Sequence, residues 1–209
     1  MSDELCSASW AGDLGLVQSL VDAGVDVNAP NRHGQGSLLT GQPRVIEYLL
    51  ANGADPNCQK NEFGASVLAG LCYIGASDCV RLLLEAGAGV NAGREESGES
   101  PLHHALARCR VEDNDAHHQD CVSLLIQHSA DVNSTTIPGV GSANAFFLRT
   151  RGETPLHRAA AWASRSIIEL LLNAGADPAI KDANDERPVE WAGWHRREKQ
   201  IGELLNPDL

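Results

Sequence analysis

The sequence predicts an all-α repeat solenoid, in which pairs of antiparallel helices stack side by side. One observation is a helix-start signal followed by a helix of small residues, clearest in GETPLHRAAAW from Gly152 onward. Another is the apolar helix that follows it and ends at Gly175 in Gly-Ala-Asp. Similar endings occur at four earlier places, in LVDAGVDVN, LLANGADPN, LLEAGAGVN and LIQHSADVN. Because one helix pair cannot bury both of its faces, such units are stable only as a stack.

The unit at Gly152 shows why its helices begin and end where they do. Thr154 is expected to cap the first amide groups, Pro155 suits the first helical position, and the carboxylate of Glu153 suits the positive end of the helix. Ser164 interrupts the helix, and the apolar run at residues 167–172 predicts a second one that stops at the following glycine. The first helix of each pair is called the inner helix below, and the second the outer helix.

The motifs TPLHRA at residues 154–159 and SPLHHA at residues 100–105 resemble the start signature of ankyrin repeats. The resemblance covers almost the whole chain, with an expected period of about 33 residues. It implies one domain of helix pairs joined by turn-like fingers, with units at residues 1–28, 29–57, 58–91, 92–133 and 134–179 and a degenerate cap at 180–209. The asparagines that close the endings are expected to fix the turns by side-chain hydrogen bonds to the backbone; they are Asn28, Asn57, Asn91 and Asn133.

The first three units differ in their inner helices. Helices are predicted at residues 5–11 and 14–23 in the first unit, and at residues 67–73 and 78–85 in the third. In the second, GQGSLLTGQP permits at most one helical turn, because it contains three glycines and ends in proline. Residues 28–58 are similar to the second repeat of the ankyrin-type cyclin-dependent kinase inhibitors, which makes kinase inhibition a minor alternative function.

Two insertions interrupt the later units. The polar sequence around residues 109–118 predicts a solvated loop, after which the outer helix resumes near Asp120. The insertion around residues 134–150 predicts an elongated finger between the fourth and fifth units. At the end of the chain, a degenerate helix pair is predicted to close the stack with a charged face made of Arg196, Arg197, Glu198 and Lys199.

Charge and composition narrow the class of partner. The net charge of −12 and the pI near 5.0 disfavour nucleic acid and anionic membranes, and favour a protein with a neutral or basic surface. No signal-peptide pattern or membrane-length apolar run is present, so we expect a cytoplasmic protein. The six cysteines form no Cys-x-x-Cys pair and are predicted to be free thiols, with Cys6, Cys72, Cys79 and Cys121 at apolar helix positions.

The resemblance implies a binding site on the finger tips and on the exposed surface of the inner helices, which together line a concave groove. One aromatic or guanidinium side chain recurs there in four of the five units and in the cap, at Trp10, Tyr73, Arg108, Trp162 and Trp194. Because Trp, Tyr and Arg are enriched at the energetic centres of interfaces, these residues are predicted to form a binding stripe. The alternative is that each ring packs on the inner helix of the next unit, and Trp191 is expected to be partly structural.

The long finger carries a second candidate contact. Phe146 and Phe147 lie in it beside Arg149, with no helix of their own to bury them, and Phe63 lies at a neighbouring finger tip. An apolar pair in a long loop is typical of a contact site or of a segment folded back on its own protein. We predict a contact with a partner, with packing against the groove as the alternative.

Residues with metal-binding or catalytic chemistry lack the arrangement that such chemistry requires. The resemblance implies that His103 and His157 make structural hydrogen bonds between fingers. The insertion has no fixed ligand spacing, so no metal or cofactor is predicted. A metal-dependent enzyme remains a remote alternative, using His104, His117 and His118 with Asp113, Asp115 and Asp120.

The sequence therefore predicts a monomeric, non-catalytic module that binds another protein. A stoichiometric inhibitor, such as an immunity protein or antitoxin, is favoured over an adaptor. The reason is that an adaptor normally needs a second module.

Overall fold

The computed structural model describes residues 1–58, 61, 64–108, 116–142 and 149–206. Eleven α-helices lie within these ranges: α1 (Ser2–Ala11), α2 (Leu14–Asp22), α3 (Pro43–Ala51), α4 (Val67–Tyr73), α5 (Ser77–Glu85), α6 (Pro101–Leu106), α7 (Ala116–Gln127), α8 (Pro155–Trp162), α9 (Arg165–Asn173), α10 (Pro188–Trp194) and α11 (Lys199–Leu204). The described residues include two isolated bridges, Arg94 with Glu99 and Gly141 with Arg149.

The helices form two layers. Helices α4, α6, α8 and α10 contact one another in series as the inner layer, and α3, α5, α7 and α9 do so as the outer layer. Each inner helix also packs on the outer helix that follows it in the chain. Fully buried side chains fill the space between the layers, among them Leu5, Ile46, Leu68, Leu83, Leu102, Leu125, Leu156 and Ile168. The predicted repeat solenoid is confirmed, while the division into five units and a cap stays a prediction.

The second unit has no inner helix among its described residues, in agreement with the glycines and proline of that stretch. Leu38 is fully buried and takes the place of a helix side chain in the core. The Thr40 hydroxyl donates to the Ser9 carbonyl at 2.8 Å, and the Ser37 hydroxyl donates to the Val27 carbonyl at 2.9 Å. Side-chain hydrogen bonds therefore join the non-helical segment to the first unit.

The closing asparagines join neighbouring units rather than only their own turns. The side-chain nitrogen of Asn28 donates to the Gly53 carbonyl at 3.0 Å, and its side-chain oxygen accepts from the backbone N–H of Asp55 at 2.8 Å. Asn57 and Asn133 make the same pair of bonds to the following unit. Each amide side chain thus satisfies one donor and one acceptor of the next turn, which fixes the spacing of the stack.

The two signature histidines also link one finger to the next, as the resemblance implied. The Nδ1 of His103 accepts from the backbone N–H of Ser100 at 3.2 Å, and the Nδ1 of His157 accepts from the backbone N–H of Thr154 at 3.1 Å. The opposite ring nitrogen donates to the next finger, from His103 to the Glu153 carbonyl at 3.2 Å and from His157 to the Glu186 carbonyl at 3.0 Å. The Thr154 side chain forms a capping box with His157, accepting from its backbone amide as predicted, and the Thr154 hydroxyl also lies 2.8 Å from the His157 Nδ1.

The outer helix of the fourth unit begins earlier than predicted. Helix α7 starts at Ala116 rather than near Asp120, and His118 is buried in its first turn. The His118 Nε2 lies 3.0 Å from the Tyr73 carbonyl. Gly75 lies against this ring, because a Cβ there would be 2.9 Å from the imidazole. The C-terminal part of the predicted solvated loop is therefore packed on the third unit.

The predicted charged end face is also only partly correct. Arg196, Glu198 and Lys199 are exposed, but Arg197 is half-buried. Its guanidinium donates to the Ala160 carbonyl at 3.3 Å and to the Ala163 carbonyl at 2.5 Å. These carbonyls lie at the C-terminal end of α8, where a cation is favourable. The side chain therefore stabilises the preceding unit instead of facing solvent.

The cysteines of the described residues are free thiols. Cys6, Cys72, Cys79 and Cys121 are buried at helix positions as predicted, and Cys58 is exposed. Burial raises the pKa of the Cys79 thiol to about 11, which disfavours the reactive thiolate. Cys109 lies outside the described residues. Among the helices that the structure describes, none has the length and apolar character needed to cross a membrane.

Candidate partner-binding surface

The predicted stripe residues lie at equivalent ends of the inner helices. Trp10 precedes the last residue of α1, while Tyr73, Trp162 and Trp194 are the final residues of α4, α8 and α10. Arg108 lies two residues beyond the end of α6. The tryptophans remain exposed, at 40% for Trp10, 37% for Trp162 and 58% for Trp194. Since the inner helices pack side by side, their ends form one edge, which is called the groove surface here.

Two of these rings also contact the neighbouring unit. The guanidinium of Arg108 lies 5.2 Å from the Tyr73 ring centroid, a cation–π contact between the third and fourth units. The Trp162 and His195 ring centroids are 3.9 Å apart with planes tilted by 55°. Packing on the next unit and exposure to solvent therefore coexist in the same side chains.

Trp191 makes structural contacts, in agreement with the expectation that it is partly structural. It is half-buried, its indole donates to the Asp182 carboxylate at 3.2 Å, and its ring meets the edge of His157 at 5.4 Å. The Arg151 guanidinium lies 5.9 Å from this ring and 5.8 Å from the Trp194 ring. The sequence interpretation did not single out Arg151, whose place in the finger just before a helix start gives no sign of these contacts.

A further exposed apolar residue joins the groove surface. Ile74 immediately follows the last residue of α4 and is 53% exposed. It lies one residue beyond the helix-end position of its unit, and this adjacency to Tyr73 was the signal available in the sequence. Its β-branched apolar side chain extends the candidate surface beside Tyr73.

A buried ion triad lies beneath the fingers and was not predicted. The Arg158 guanidinium contacts the carboxylates of Glu99 at 2.7 Å and Glu153 at 2.6 Å, and it donates to the His103 carbonyl at 3.1 Å. Burial by itself would raise the pKa of Glu99, but the charge of Arg158 and the hydrogen bond from Ser142 lower it to about 2. Both carboxylates are therefore ionised near neutral pH. The signal that could have revealed them is the repeated Glu in GESPLH and GETPLH.

The triad holds the base of the long finger. The Ser142 hydroxyl donates to Glu99 at 2.5 Å, the Thr136 hydroxyl donates to Glu153 at 2.7 Å, and the Arg94 guanidinium donates to the Gly141 carbonyl at 2.7 Å. These bonds attach residues 136, 141 and 142 of the finger to Arg94 and to the two buried carboxylates. The finger is therefore anchored by carboxylates that belong to the fourth and fifth units.

The predicted finger contacts are described only in part. Arg149 is exposed and its guanidinium donates to the Gly139 carbonyl at 3.3 Å. Phe63, Phe146 and Phe147 lie outside the described residues, so their contact with a partner stays a prediction.

Two histidines considered as metal ligands, His104 and His118, are packed within the fold. His104 is fully buried next to the ion triad, and burial lowers its pKa to about 4. His118 contacts the Tyr73 carbonyl, and Asp113 and Asp115 lie outside the described residues. Within the part of the chain that the structure describes, no group of three or more His, Cys, Asp and Glu side chains is placed to hold a metal ion.

The family model for ankyrin repeats, in three copies, matches residues 35–136 and 113–182. The chain belongs to the ankyrin-repeat family. Members of this family are generally protein-interaction modules without catalytic activity.

Curated relatives place the ankyrin-repeat chain among larger proteins. The nuclear factor NF-kappa-B p105 subunit of Gallus gallus is 31% identical over 173 residues, which are 80% of this chain and 16% of that protein. The NF-kappa-B inhibitor delta of Mus musculus is 28% identical over 190 residues, covering 71% of this chain and 58% of that protein. The chain thus spans less than two thirds of either relative. Cyclin-dependent kinase 4 inhibitor B of Bos taurus is 43% identical over 58 residues, 26% of this chain and 44% of that protein, in agreement with the predicted local resemblance.

A solved structure shares the ankyrin-repeat architecture over nearly the full chain. It is a chain from the predatory endopeptidase Bd0816 of Bdellovibrio bacteriovorus in complex with the immunity protein Bd3460. The superposition has a TM-score of 0.74 and covers 98% of this chain and 97% of that one, with 23% sequence identity. At this identity the likeness shows a common fold.

Proposed function

We propose that this ankyrin-repeat chain is a monomeric, non-catalytic protein that binds a partner protein on its groove surface and inhibits it stoichiometrically. The observation that carries the proposal is the exposure of Trp10, Trp162 and Trp194 at equivalent helix ends. Tryptophan side chains that remain exposed in a row are typical of interaction surfaces, and tryptophan is the residue most enriched among binding hot spots.

Inhibition is favoured over simple tethering by the names of similar proteins. The matched solved structure contains an immunity protein bound to an endopeptidase, and two curated relatives are named as inhibitors. An immunity protein or antitoxin acts by occupying its target, which needs a shaped surface and no chemistry of its own. A cytoplasmic location belongs to the same proposal, because five free thiols suit a reducing compartment: Cys6, Cys58, Cys72, Cys79 and Cys121.

An adaptor is the second candidate function. It is favoured by the share of the p105 subunit that this chain covers, 16%, because there the matching repeats are one part of a longer protein. An adaptor holds its partner without changing the partner's activity, whereas an inhibitor abolishes that activity. The two candidates therefore differ in a measurable quantity.

The test begins with capture of the partner on the immobilised chain. Wild type is compared with Trp162→Ala combined with Trp194→Ala, and with Leu16→Ala as a matched control. Leu16 is 39% exposed but lies on the outer helix α2. Once mass spectrometry has identified the partner, dissociation constants are measured for all three proteins. We expect the double variant to bind at least about tenfold more weakly, as is usual for interface hot spots, and the control to bind normally.

Titration of the partner's activity then separates the candidates. Complete loss of activity at one chain per partner supports inhibition, while a bound but fully active partner supports the adaptor. Equal binding by wild type and the double tryptophan variant would show that the partner binds elsewhere.

A further inference from the structure

Much of the negative charge of the chain lies on the outer helices and in the turns between units. The net charge is −12, and each of the outer helices α2, α3, α5, α7 and α9 carries at least one carboxylate: Asp22, Glu47, Asp78, Glu85, Asp120 and Glu169. The turns between units add Asp26, Asp55, Asp131 and Asp177. The inner helices α4, α6 and α8 contain no aspartate or glutamate, whereas α1 carries Asp3 and Glu4 and α10 carries Glu190 in its first turn. The whole-chain charge therefore does not describe the groove surface.

Two guanidinium groups, those of Arg108 and Arg151, contact aromatic rings of that surface, and a third, that of Arg149, is exposed in the adjoining finger. The ion pairs of the described residues use other cations: Arg32, Arg81, Arg94, Arg158, Arg165, Lys181, Arg187 and Lys199. By contrast, Arg108 contacts the Tyr73 ring, Arg151 contacts the Trp191 and Trp194 rings, and Arg149 donates to a backbone carbonyl. These three positive charges are not used in carboxylate ion pairs within the described part of the chain.

Aromatic packing prepares such groups for a carboxylate ligand. A guanidinium held over a ring keeps its N–H edges available, and its planar fork matches a carboxylate with two parallel hydrogen bonds. Contact with the ring also limits the conformations of the long side chain, so less freedom is lost on binding. The positive charge of Arg151 acts to lower the pKa of the nearby Glu186. Burial and the negative charge of Asp182 outweigh it, so this pKa is raised overall.

We propose that the groove surface formed by the fourth unit, the fifth unit and the cap binds an acidic segment of the partner protein. Carboxylates of that segment pair with Arg108, Arg149 and Arg151, and its apolar side chains contact Trp162 and Trp194. This proposal rests on the proposed function and replaces the basic partner expected from net charge, because charges within a few ångströms outweigh a distant field screened by salt. Nucleic acid is disfavoured as the occupant, since a strand with one charge per nucleotide meets repulsion from the acidic outer helices.

The test uses fluorescein-labelled peptides and fluorescence anisotropy with the full chain. One peptide is four repeats of Glu-Glu-Leu, a second has Lys in place of every Glu, and a third probe is a single-stranded thymidine dodecamer. We expect the acidic peptide to bind more tightly than the other two and to weaken as salt is raised. Arg108→Gln combined with Arg151→Gln should weaken its binding at least tenfold. Arg44→Gln combined with Arg165→Gln removes two charges from outer helices and should leave binding unchanged.

The outcomes separate this inference from the proposed function. Preference for the lysine peptide, with loss of binding on Trp162→Ala, would overturn the acidic segment while the groove surface stayed a protein-binding site. Tighter, arginine-dependent binding of the thymidine dodecamer would replace the peptide with nucleic acid as the occupant. Failure of the acidic peptide to bind, or equal weakening by both arginine pairs, would also overturn the inference. Binding of the acidic peptide that is insensitive to Trp162→Ala would place it away from the groove surface.

Discussion

Arg158 forms a buried ion pair with Glu99, which lies 59 residues earlier in the preceding unit. The same guanidinium contacts Glu153 at 2.6 Å, so one cation serves two carboxylates. The Glu99 side chain is fully buried and Arg158 is 8% exposed. Because the finger base also bonds to these carboxylates, Arg158 couples the stacking of two units to the position of the long finger.

Replacing Arg158 with methionine should destabilise the fold strongly. The substitution leaves two buried carboxylates without their cation, which typically costs about 3 to 5 kcal/mol in the free energy of unfolding. The measurement is urea denaturation followed by circular dichroism. Arg165→Met is the control, because the pair of Arg165 with Glu169 is solvent-exposed and should contribute less than about 1 kcal/mol. Equal effects of the two substitutions would show that the triad is not a stabilising element.

Stability should fall as pH is lowered from 6.5. Burial lowers the pKa of His103 to about 3 and of His104 to about 4, so below 6.5 the unfolded chain binds protons that the folded chain excludes. Glu99, with its pKa near 2, adds a second loss as pH falls from 4.5 towards 2. Urea denaturation between pH 7.5 and 4.5 measures the first loss, and His104→Gln should reduce it. A free energy of unfolding that stays constant over this range would contradict the prediction.

Substituting alanine for Gly93 should damage the finger of the fourth unit. A Cβ at this position would lie 1.8 Å from the Glu99 carbonyl oxygen, so the backbone must move. We expect a lower melting temperature and weaker packing of the ion triad. Gly202→Ala is a matched control within helix α11, where an added Cβ meets nothing within 4 Å. That control should be neutral or stabilising by up to about 1 kcal/mol, and a comparable loss in both variants would rule out the proposed clash.

Removal of the His118 imidazole should destabilise the junction between the third and fourth units. His118→Ala removes the bond to the Tyr73 carbonyl and leaves a cavity against Gly75, with an expected cost of about 1 to 3 kcal/mol. His117→Ala is the control, since the neighbouring side chain is exposed and should change stability by less than about 0.5 kcal/mol. Thermal unfolding of the two variants measures the difference. If they melt together, the buried imidazole is not a structural contact.

The two phenylalanines of the long finger should act in binding rather than in folding. Phe146→Ala combined with Phe147→Ala is expected to leave the melting temperature nearly unchanged and to weaken partner binding, because a loop without a helix gives the rings no core of their own. The melting temperature and the dissociation constant for the captured partner are measured together. A large loss of stability would mean that the pair packs against the protein itself.

Local sequence signals predicted the helices well. The inner helix Val67–Tyr73 has the predicted bounds, and the second unit lacks an inner helix where three glycines and a proline occur. These features depend on residues close together in the sequence: the helix-start residues, the glycines and prolines that stop a helix, and the repeating apolar pattern. The helix-end aromatics followed from the same repeat, since equivalent sequence positions become equivalent places on a stack.

The repeat pattern alone established an ankyrin-type stack, because each unit presents the same apolar faces and must bury them against copies of itself. It also established which side chains sit at the helix ends. Only the tertiary structure decided that Arg158 joins two glutamates, that His118 packs on the third unit and that Arg197 turns inward. Arg158 and Glu99 are 59 positions apart in the sequence, His118 and Tyr73 are 45 apart, and Arg197 is 37 and 34 positions from its two carbonyl partners. These side chains depart from the repeat pattern, and only the folded geometry brings them to their partners.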